Sequence, residues 1–558
     1  MVVNGSLPYA QTGARFNIAV SGGRIQRVGG MDVLEAVDAG TRVIDADGGA
    51  VLPGINDAHL HFFSSAMVRF GHLNVDSQAA GSWAAVAKLI EDCPAGADGW
   101  IRAHGWDELH LGPGGPAAID ECRPGIPVVA FDKTGHQLLA NRTALQRAGI
   151  TASTPAPAGG ILERHDDGTP TGKFVDGAME LMTRVLPNLP PGTMRSAASQ
   201  FQRFLHAQGI TSLTEPGLGP GAGGLLDGSG TTAALDVLAD LALDGTLSLR
   251  INTLLLFAGT GGVSAAAVRA GLESGLQQTF RDKGIDPARL RIAGVKVFAD
   301  GTPRSGTAWM SEPYGHSCKH GSLVVAGAND AERVAELDEI IRLIESAELQ
   351  AGIHATGDAA TAAAVTAVIR AQQGRAGTNR HYIIHGSFAS NASLPAFAAN
   401  SIGYSTNPMI RFGGGAMLEG ILGQERFRRH QPLASAAREG VKFNLASDSP
   451  VTTTDWRRTM LAAITRATVD HPGPVHDGEG VGLRQALAGM TSLPAWQDHA
   501  EHMKGSVRPG MAADLCILDG AWPNDDEPDE LMERHVMWTV SAGQVVHEPA
   551  AVPATGFF

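Results

Sequence analysis

Short apolar runs alternate with stretches of helical periodicity through the middle of the chain, and this alternation predicts the architecture. Asp330 opens a segment in which Val334, Leu337, Ile341 and Ile344 recur at spacings of three and four, giving a helix one apolar face. A second helix is predicted from Ala359 through Arg370, stopped by Gly374. Strand-like runs fall at 209–215, 247–257, 291–298, 349–354, 381–385, 401–406 and 441–447, and one more precedes His59. Eight β-α units predict an α/β chain built as a (β/α)8 TIM-like barrel, whose reactive side chains belong at the C-terminal ends of the strands.

The two ends of the chain have another texture. From about Phe16 to Val51, short apolar stretches are broken by Gly-Gly and Asp-Gly-Gly turns, the pattern of small antiparallel strands. After Ser506-Val507-Arg508-Pro509-Gly510 the runs Ala513–Leu518 and Val536–Val546 read the same way. Residues 1–52 and 505–558 are therefore expected to form one small β-sandwich domain from both termini, with the barrel over 53–504. The Pro- and Gly-rich stretch at about 69–195 reads as a lobe inserted after the first barrel strand. Gly219-Pro220-Gly221-Ala222-Gly223-Gly224 matches a dinucleotide-binding spacing, but glycine continues to Gly230 and no helix opens at the third glycine, so a loop is expected there.

Composition narrows the partners. With 558 residues, 43% hydrophobic and 18% charged, the chain can bury a large core, and its length calls for two domains or one decorated barrel. A formal net charge of -14 argues against a nucleic-acid surface and favours a small-molecule partner. Cys93, Cys122, Cys318 and Cys516 have no Cys-x-x-Cys spacing, which points to reduced thiols. The start of the chain lacks a basic flank followed by a long apolar core, and no apolar run reaches membrane-spanning length. A cytoplasmic protein with no membrane partner is expected.

The chemistry begins at Pro53-Gly54-Ile55-Asn56-Asp57-Ala58-His59-Leu60-His61. On an extended strand His59 and His61 share a face about 7 Å apart, and Asp57 shares it too, so the imidazoles can converge on one ion. Taken alone, the pair reads equally well as two surface histidines beside a turn. Lys296 sits inside the apolar strand Arg291–Phe298, where an unpaired ammonium is costly to bury. Asp300 is roughly 13 Å along the strand, too far for a local ion pair. Residue chemistry favours a distant carboxylate partner, with a lysine carbamate ligating metal as the alternative. His354 and His385 close the next two strands and Asp448 closes the last, each of which alone would pass as a hydrogen-bonded core histidine or a helix cap. Together the six residues fall at the ends of the first, fourth, fifth, sixth and eighth strands.

With these motifs, and with Gly105-Trp106-Asp107, Gly135-His136 followed by Asn141, Lys296–Gly301, Glu312-Pro313-Tyr314, His354–Asp358 and Ser447–Pro450, the chain resembles the amidohydrolase superfamily over nearly its whole length. The resemblance is to the YtcJ-like, amidohydrolase 3 branch, which includes N-substituted formamide deformylases. It implies a binuclear centre, most often zinc, in the barrel mouth. His59, His61 and Asp448 would hold one ion, His354 and His385 the other, and Lys296, carboxylated by carbon dioxide, would bridge them. Two departures affect the surroundings rather than the ligands. Ile384 precedes His385 where many relatives carry Glu, and Ile55-Asn56 follows Pro-Gly where an aromatic is usual.

The activity so implied is hydrolysis of a C–N bond in a small amide, formamide or N-acyl compound by a metal-bound hydroxide, with Asp448 moving the proton to the leaving nitrogen. His136 and Arg304 are candidate oxyanion or substrate contacts, with surface or ion-pair roles as the alternative. Glu215 is a candidate neighbour of the ligands, and Trp309, Met310 and Asn407–Phe412 are candidate pocket walls. Deamination, decarboxylation or isomerisation on the same centre, and a non-catalytic scaffold, are the competing readings. Related enzymes are often dimers, so a homodimer is an option.

Overall fold

Eight parallel strands form the central sheet of the computed structural model, which describes residues 1–9, 13–135, 137–157, 160–221, 231–258, 263–315 and 318–549. In chain order they are β1 (Ile55–Asp57), β2 (Ile210–Leu218), β3 (Arg250–Leu255), β4 (Leu290–Phe298), β5 (Gln350–Ala355), β6 (Tyr382–His385), β7 (Gly403–Thr406) and β8 (Phe443–Leu445), each hydrogen-bonded to the next. The alternation of strand side chains sorts residues between two environments. Val295, Val297, Ile353 and Ile383 join helical Leu337, Ile341, Val365 and Val368 in the main apolar cluster. Lys296 and His354, lying between or beside them in sequence, take the opposite face.

The helix predicted from Asp330 spans Asp330–Ser346, and its cap is Asn329, whose side chain accepts from Glu332 N. The next spans Asp358–Gln372. The first strand departs from expectation by ending at Asp57, so that His59 and His61 lie beyond it and His61 precedes the helix Phe62–Phe70. The cause is polar, one contact local and the other from the far end of the chain. Asp57 Oδ1 accepts from His59 N (3.3 Å) and from Ser447 N (3.1 Å), diverting the chain from the ladder.

No ladder joins β8 to β1 among the described residues. The seam is closed instead by Asp57 with Ser447 N, by Asp448 N donating to His59 O (2.8 Å), and by His61 N donating to Ser449 O (3.0 Å). Lower in the barrel, Asn56 Nδ2 reaches Asp498 Oδ2 (2.8 Å) and Asn444 Nδ2 reaches Gln497 Oε1 (2.7 Å), so the 497–498 segment fills the gap from below.

The stretch after β1 holds more regular structure than its turn-rich sequence indicates. Strands Leu73–Asn74, Ile101–Trp106, Val128–Asp132, Gln137–Ala140, Gly160–Arg164 and Pro170–Asp176 form a six-stranded mixed sheet with helices against it. Two four-stranded sheets are built from the chain ends, one from strands within residues 2–45 and one from Val51–Pro53 with three strands of 515–547. Val2, Ile18, Ile44, Val51, Leu515, Ile517 and Val540 form their shared apolar core. Of the glycine-rich run, residues 222–230 lie outside the described residues.

Polar contacts tie these terminal sheets to the barrel. Arg250 pairs with Asp514 (Nε–Oδ2 2.7 Å), Ser541 Oγ donates to Ser248 O (2.6 Å), and Thr539 Oγ1 donates to His206 O (2.6 Å). His206 is itself buried, its Nδ1 2.9 Å from Ile210 O and its Nε2 2.7 Å from Ser248 Oγ. Burial pushes its pKa down to about 4. Between that value and the ordinary 6.5 the unfolded chain binds a proton that the folded chain refuses, so stability is lost as pH falls through this window, by up to about 3 kcal/mol. Urea midpoints measured from pH 7 to pH 4.5 should therefore fall more steeply for the wild type than for His206→Gln, and parallel slopes would refute the assignment.

Candidate metal centre

Four imidazoles and one carboxylate meet where the C-terminal ends of β1, β5, β6 and β8 come together. The ring centroids of His59 lie 5.2 Å from those of His61 and 5.5 Å from those of His385, and His385 is 4.6 Å from His354. Asp448 Oδ1 is 3.1 Å from His59 Nε2 and 3.4 Å from His61 Nε2. One ligand atom from each of His59, His61 and Asp448 can be chosen so that all lie within 4.8 Å of one another. All five side chains are buried.

The protonation pattern suits metal binding, which needs neutral imidazole and ionised carboxylate. Burial, then the nearby Lys296 charge, holds His59 well below the usual histidine range. Burial, then His385 and Lys296, does the same to His354. His385 is brought down to about 4 by burial and Lys296, against the opposing pull of Asp448. Burial alone would raise Asp448, but the facing His59 and His61 rings outweigh it and leave the carboxyl well below its usual range. His59 Nδ1 and His61 Nδ1 are buried with no hydrogen-bond partner among the described residues, while the Nε2 atoms of both rings face the Asp448 carboxylate. Orphaned ring nitrogens beside a carboxylate are costly unless a cation accepts their lone pairs, so the donor set fits a divalent metal.

Neighbouring groups set which nitrogen of the other two histidines is available. His385 Nδ1 is 2.7 Å from Asn407 Oδ1 and must donate to it, which leaves the Nε2 lone pair free to bind. His354 Nε2 is 3.2 Å from Gly301 O and donates there, leaving Nδ1. Asn407 also donates from Nδ2 to Ala446 O (3.2 Å), so one amide links the end of β6 to the approach to Asp448. His385 and Asp448 both take positive φ, 67° and 57°, a strained conformation for non-glycine residues of the kind that concentrates at working sites.

Lys296 is buried, with Nζ 4.7 Å from the centroid of Phe298, and its charge is felt by His59, His354 and His385. Asp300 follows four residues later, just past the strand. Its oxygens accept from Trp309 N, Thr356 N and Gly357 N, each at 2.9 Å, tying the loop after β4 to the loop after β5. Burial nonetheless raises its pKa to about 7. Glu215, expected to end its strand, lies three residues before the end of β2; it accepts from Phe63 N (3.2 Å) at the start of the helix that follows His61, and it lies close enough to His61 to feel that ring. Asp57, pushed up to about 6 by burial, works on the seam rather than among the ring nitrogens.

The remaining candidates are placed elsewhere. Arg304 is exposed in the turn after β4, and His136 lies outside the described residues. Met310 belongs to an apolar cluster with Tyr314, Phe388, Leu418 and Phe427, while Arg411 turns into the interior to pair with Asp477 (3.1 Å). Sequence reasoning named Asn407 only within a motif, and Asp300 only there and as a partner too distant for Lys296. The signal that could have singled them out is a polar residue at or just past a strand's C-terminal end, where its neighbours carry ligands.

The chain is 27% identical over 552 residues to protein LONG AFTER FAR-RED 3 of Arabidopsis thaliana, covering 97% of this chain and 89% of that one. It is 26% identical over 546 residues to an N-substituted formamide deformylase of Arthrobacter pascens, covering 95% and 94%. An uncharacterised metal-dependent hydrolase of Pyrococcus furiosus shares the fold with a TM-score of 0.72 at 22% identity, over 93% of this chain and 98% of that one. Residues 42–547 match the amidohydrolase family, and the chain belongs to it.

Proposed function

We propose that this protein hydrolyses a C–N bond of a small amide, formamide or N-acyl compound with divalent metal, zinc in the simplest case. The observation that carries the proposal is the convergence of His59, His61 and Asp448, with buried ring nitrogens that lack partners. Family membership supports a hydrolase, and the likeness to a formamide deformylase supports the choice of bond. His59, His61 and Asp448 would hold one ion and His354 and His385 a second. Lys296, its neutral amine having added to carbon dioxide with loss of a proton, would supply a carbamate between them.

A divalent cation in such a site lowers the pKa of water toward about 7 and polarises a carbonyl. The chain's own part is to position and to move protons. Asp448 accepts a proton from the attacking water at a carboxylate oxygen and returns it to the leaving nitrogen, so that the amine departs neutral. Asn407 fixes the tautomer of His385 through Nδ1, and Gly301 O does the same for His354 through Nε2.

The test is metal analysis followed by a screen of N-formyl, N-acetyl and aryl amides. Release of a free amine with its acid is expected, whereas ammonia or carbon dioxide without amide cleavage would point to another reaction at the same centre. Chelation should abolish turnover, and added zinc should restore it. Lys296→Ala should lose bound metal and activity together, and full retention of both removes its bridging role. Asp448→Asn should cut kcat by about 10²–10⁴ with the circular dichroism unchanged. An unaltered rate discards the proton shuttle.

A further inference from the structure

At the end of the barrel opposite the candidate centre, a cavity of about 230 Å³ opens between the starts of β3 and β4 and the segment 498–504. Arg250, Arg289, Arg291 and Lys504 border it. Two of these cations have carboxylate partners. Arg250 is paired with Asp514 (Nε–Oδ2 2.7 Å) and Lys504 with Asp498 (2.7 Å).

The other two do not. Arg289 donates from Nη1 to Ser248 O (2.6 Å) and Ser541 Oγ (3.4 Å). Arg291 donates from Nε to Asn252 Oδ1 (2.6 Å) and from Nη2 to Asp498 O (2.5 Å). Among the described residues neither has a carboxylate oxygen within 4 Å, and Arg289 Nε and Nη2 and Arg291 Nη1 donate to no protein atom. Four cations against Asp514, Asp498 and the nearby Asp286 leave a formal excess of one positive charge, in a chain whose overall balance is -14. Arg289 feels the like charge of Arg250 as well as the opposing pull of Asp514 and Asp286. Half-buried guanidiniums of one sign gathered around an open recess call for a counterion.

We propose that this cavity binds a small oxyanion, of the phosphate or short carboxylate kind, between Arg289 and Arg291. The unused Nε–Nη2 edge of Arg289 matches the paired oxygens of such an anion, and Arg291 Nη1 adds a single further donor. The volume is below that of a drug-sized pocket and suits an anion of a few heavy atoms. Arg291 lies five residues before Lys296 on β4, about 16 Å along the strand, so this site is separate from the candidate centre. It stands independently of the hydrolase reading.

The experiment is isothermal titration of the metal-loaded protein with inorganic phosphate and, in a parallel arm, with acetate, at constant ionic strength. Saturable binding of either anion, weakened roughly tenfold or more in Arg289→Gln with metal content unchanged, supports the site, and the tighter arm identifies the class. Phosphate held only at the metal centre would bind the variant as well as the wild type, and that result overturns the proposal. So does the absence of saturable binding in both arms. Should Arg289→Gln fail to fold, Arg289→Lys keeps the charge and removes the fork. A crystal soaked in selenate gives a reading without any variant: anomalous density between Arg289 and Arg291 is expected, and density confined to other places refutes the site.

Discussion

The seam between the first and last barrel strands is the constraint on which the rest of the structure depends. Seven of the eight joints in the barrel are backbone ladders, whose geometry is fixed by the strands themselves. The eighth is made by Asp57, by the carbonyl of His59 and by the amides of His61, Ser447 and Asp448. Closing the barrel and bringing His59 and His61 against Asp448 are therefore one event. A ladder there would have continued the pleat and sent alternate side chains to opposite faces. His59 and His61, two residues apart, would share a face there as well; what the closure adds is position, since Asp448 N on His59 O and His61 N on Ser449 O hold that face against the carboxylate.

The electrostatics of the centre follow from this enclosure. Burial alone would neutralise every group in it, raising carboxyls and lowering imidazoles. His59, His354 and His385 go the way burial sends them, helped by Lys296, whereas Asp448 goes the other way because His59 and His61 face it. The outcome is neutral nitrogen donors around an ionised oxygen donor, an arrangement that is poor for a protein interior and good for a cation. Asp300 and Asp57 keep to the burial-driven direction and are satisfied by backbone amides, which marks them as framework.

Much of this was legible along the chain because barrel strands carry a period of two. Val295 and Val297 flanking Lys296, and Ile353 before His354, announce an apolar outer shell and an inward chemical residue without any tertiary information. The end of β1 was not legible, because what ends it is the amide of Ser447, 390 residues away. The six-stranded sheet after β1 was obscured for a different reason: Val128–Asp132 is buried on both faces, and its Pro- and Gly-rich connectors dominate the local pattern. Asn407 reads as an ordinary polar residue past a strand, since its role is created by His385 arriving from the neighbouring strand.

Ile384 shows why the ligand set and the substrate are separate questions. It lies below the centre in a small buried cluster with Leu254 and Tyr382, inside the barrel rather than among its helices. A carboxylate in that apolar position would need a cation or several donors to offset its burial. With isoleucine there, the packing beneath the centre is apolar, while the convergence of His59, His61 and Asp448 above it is left as it is.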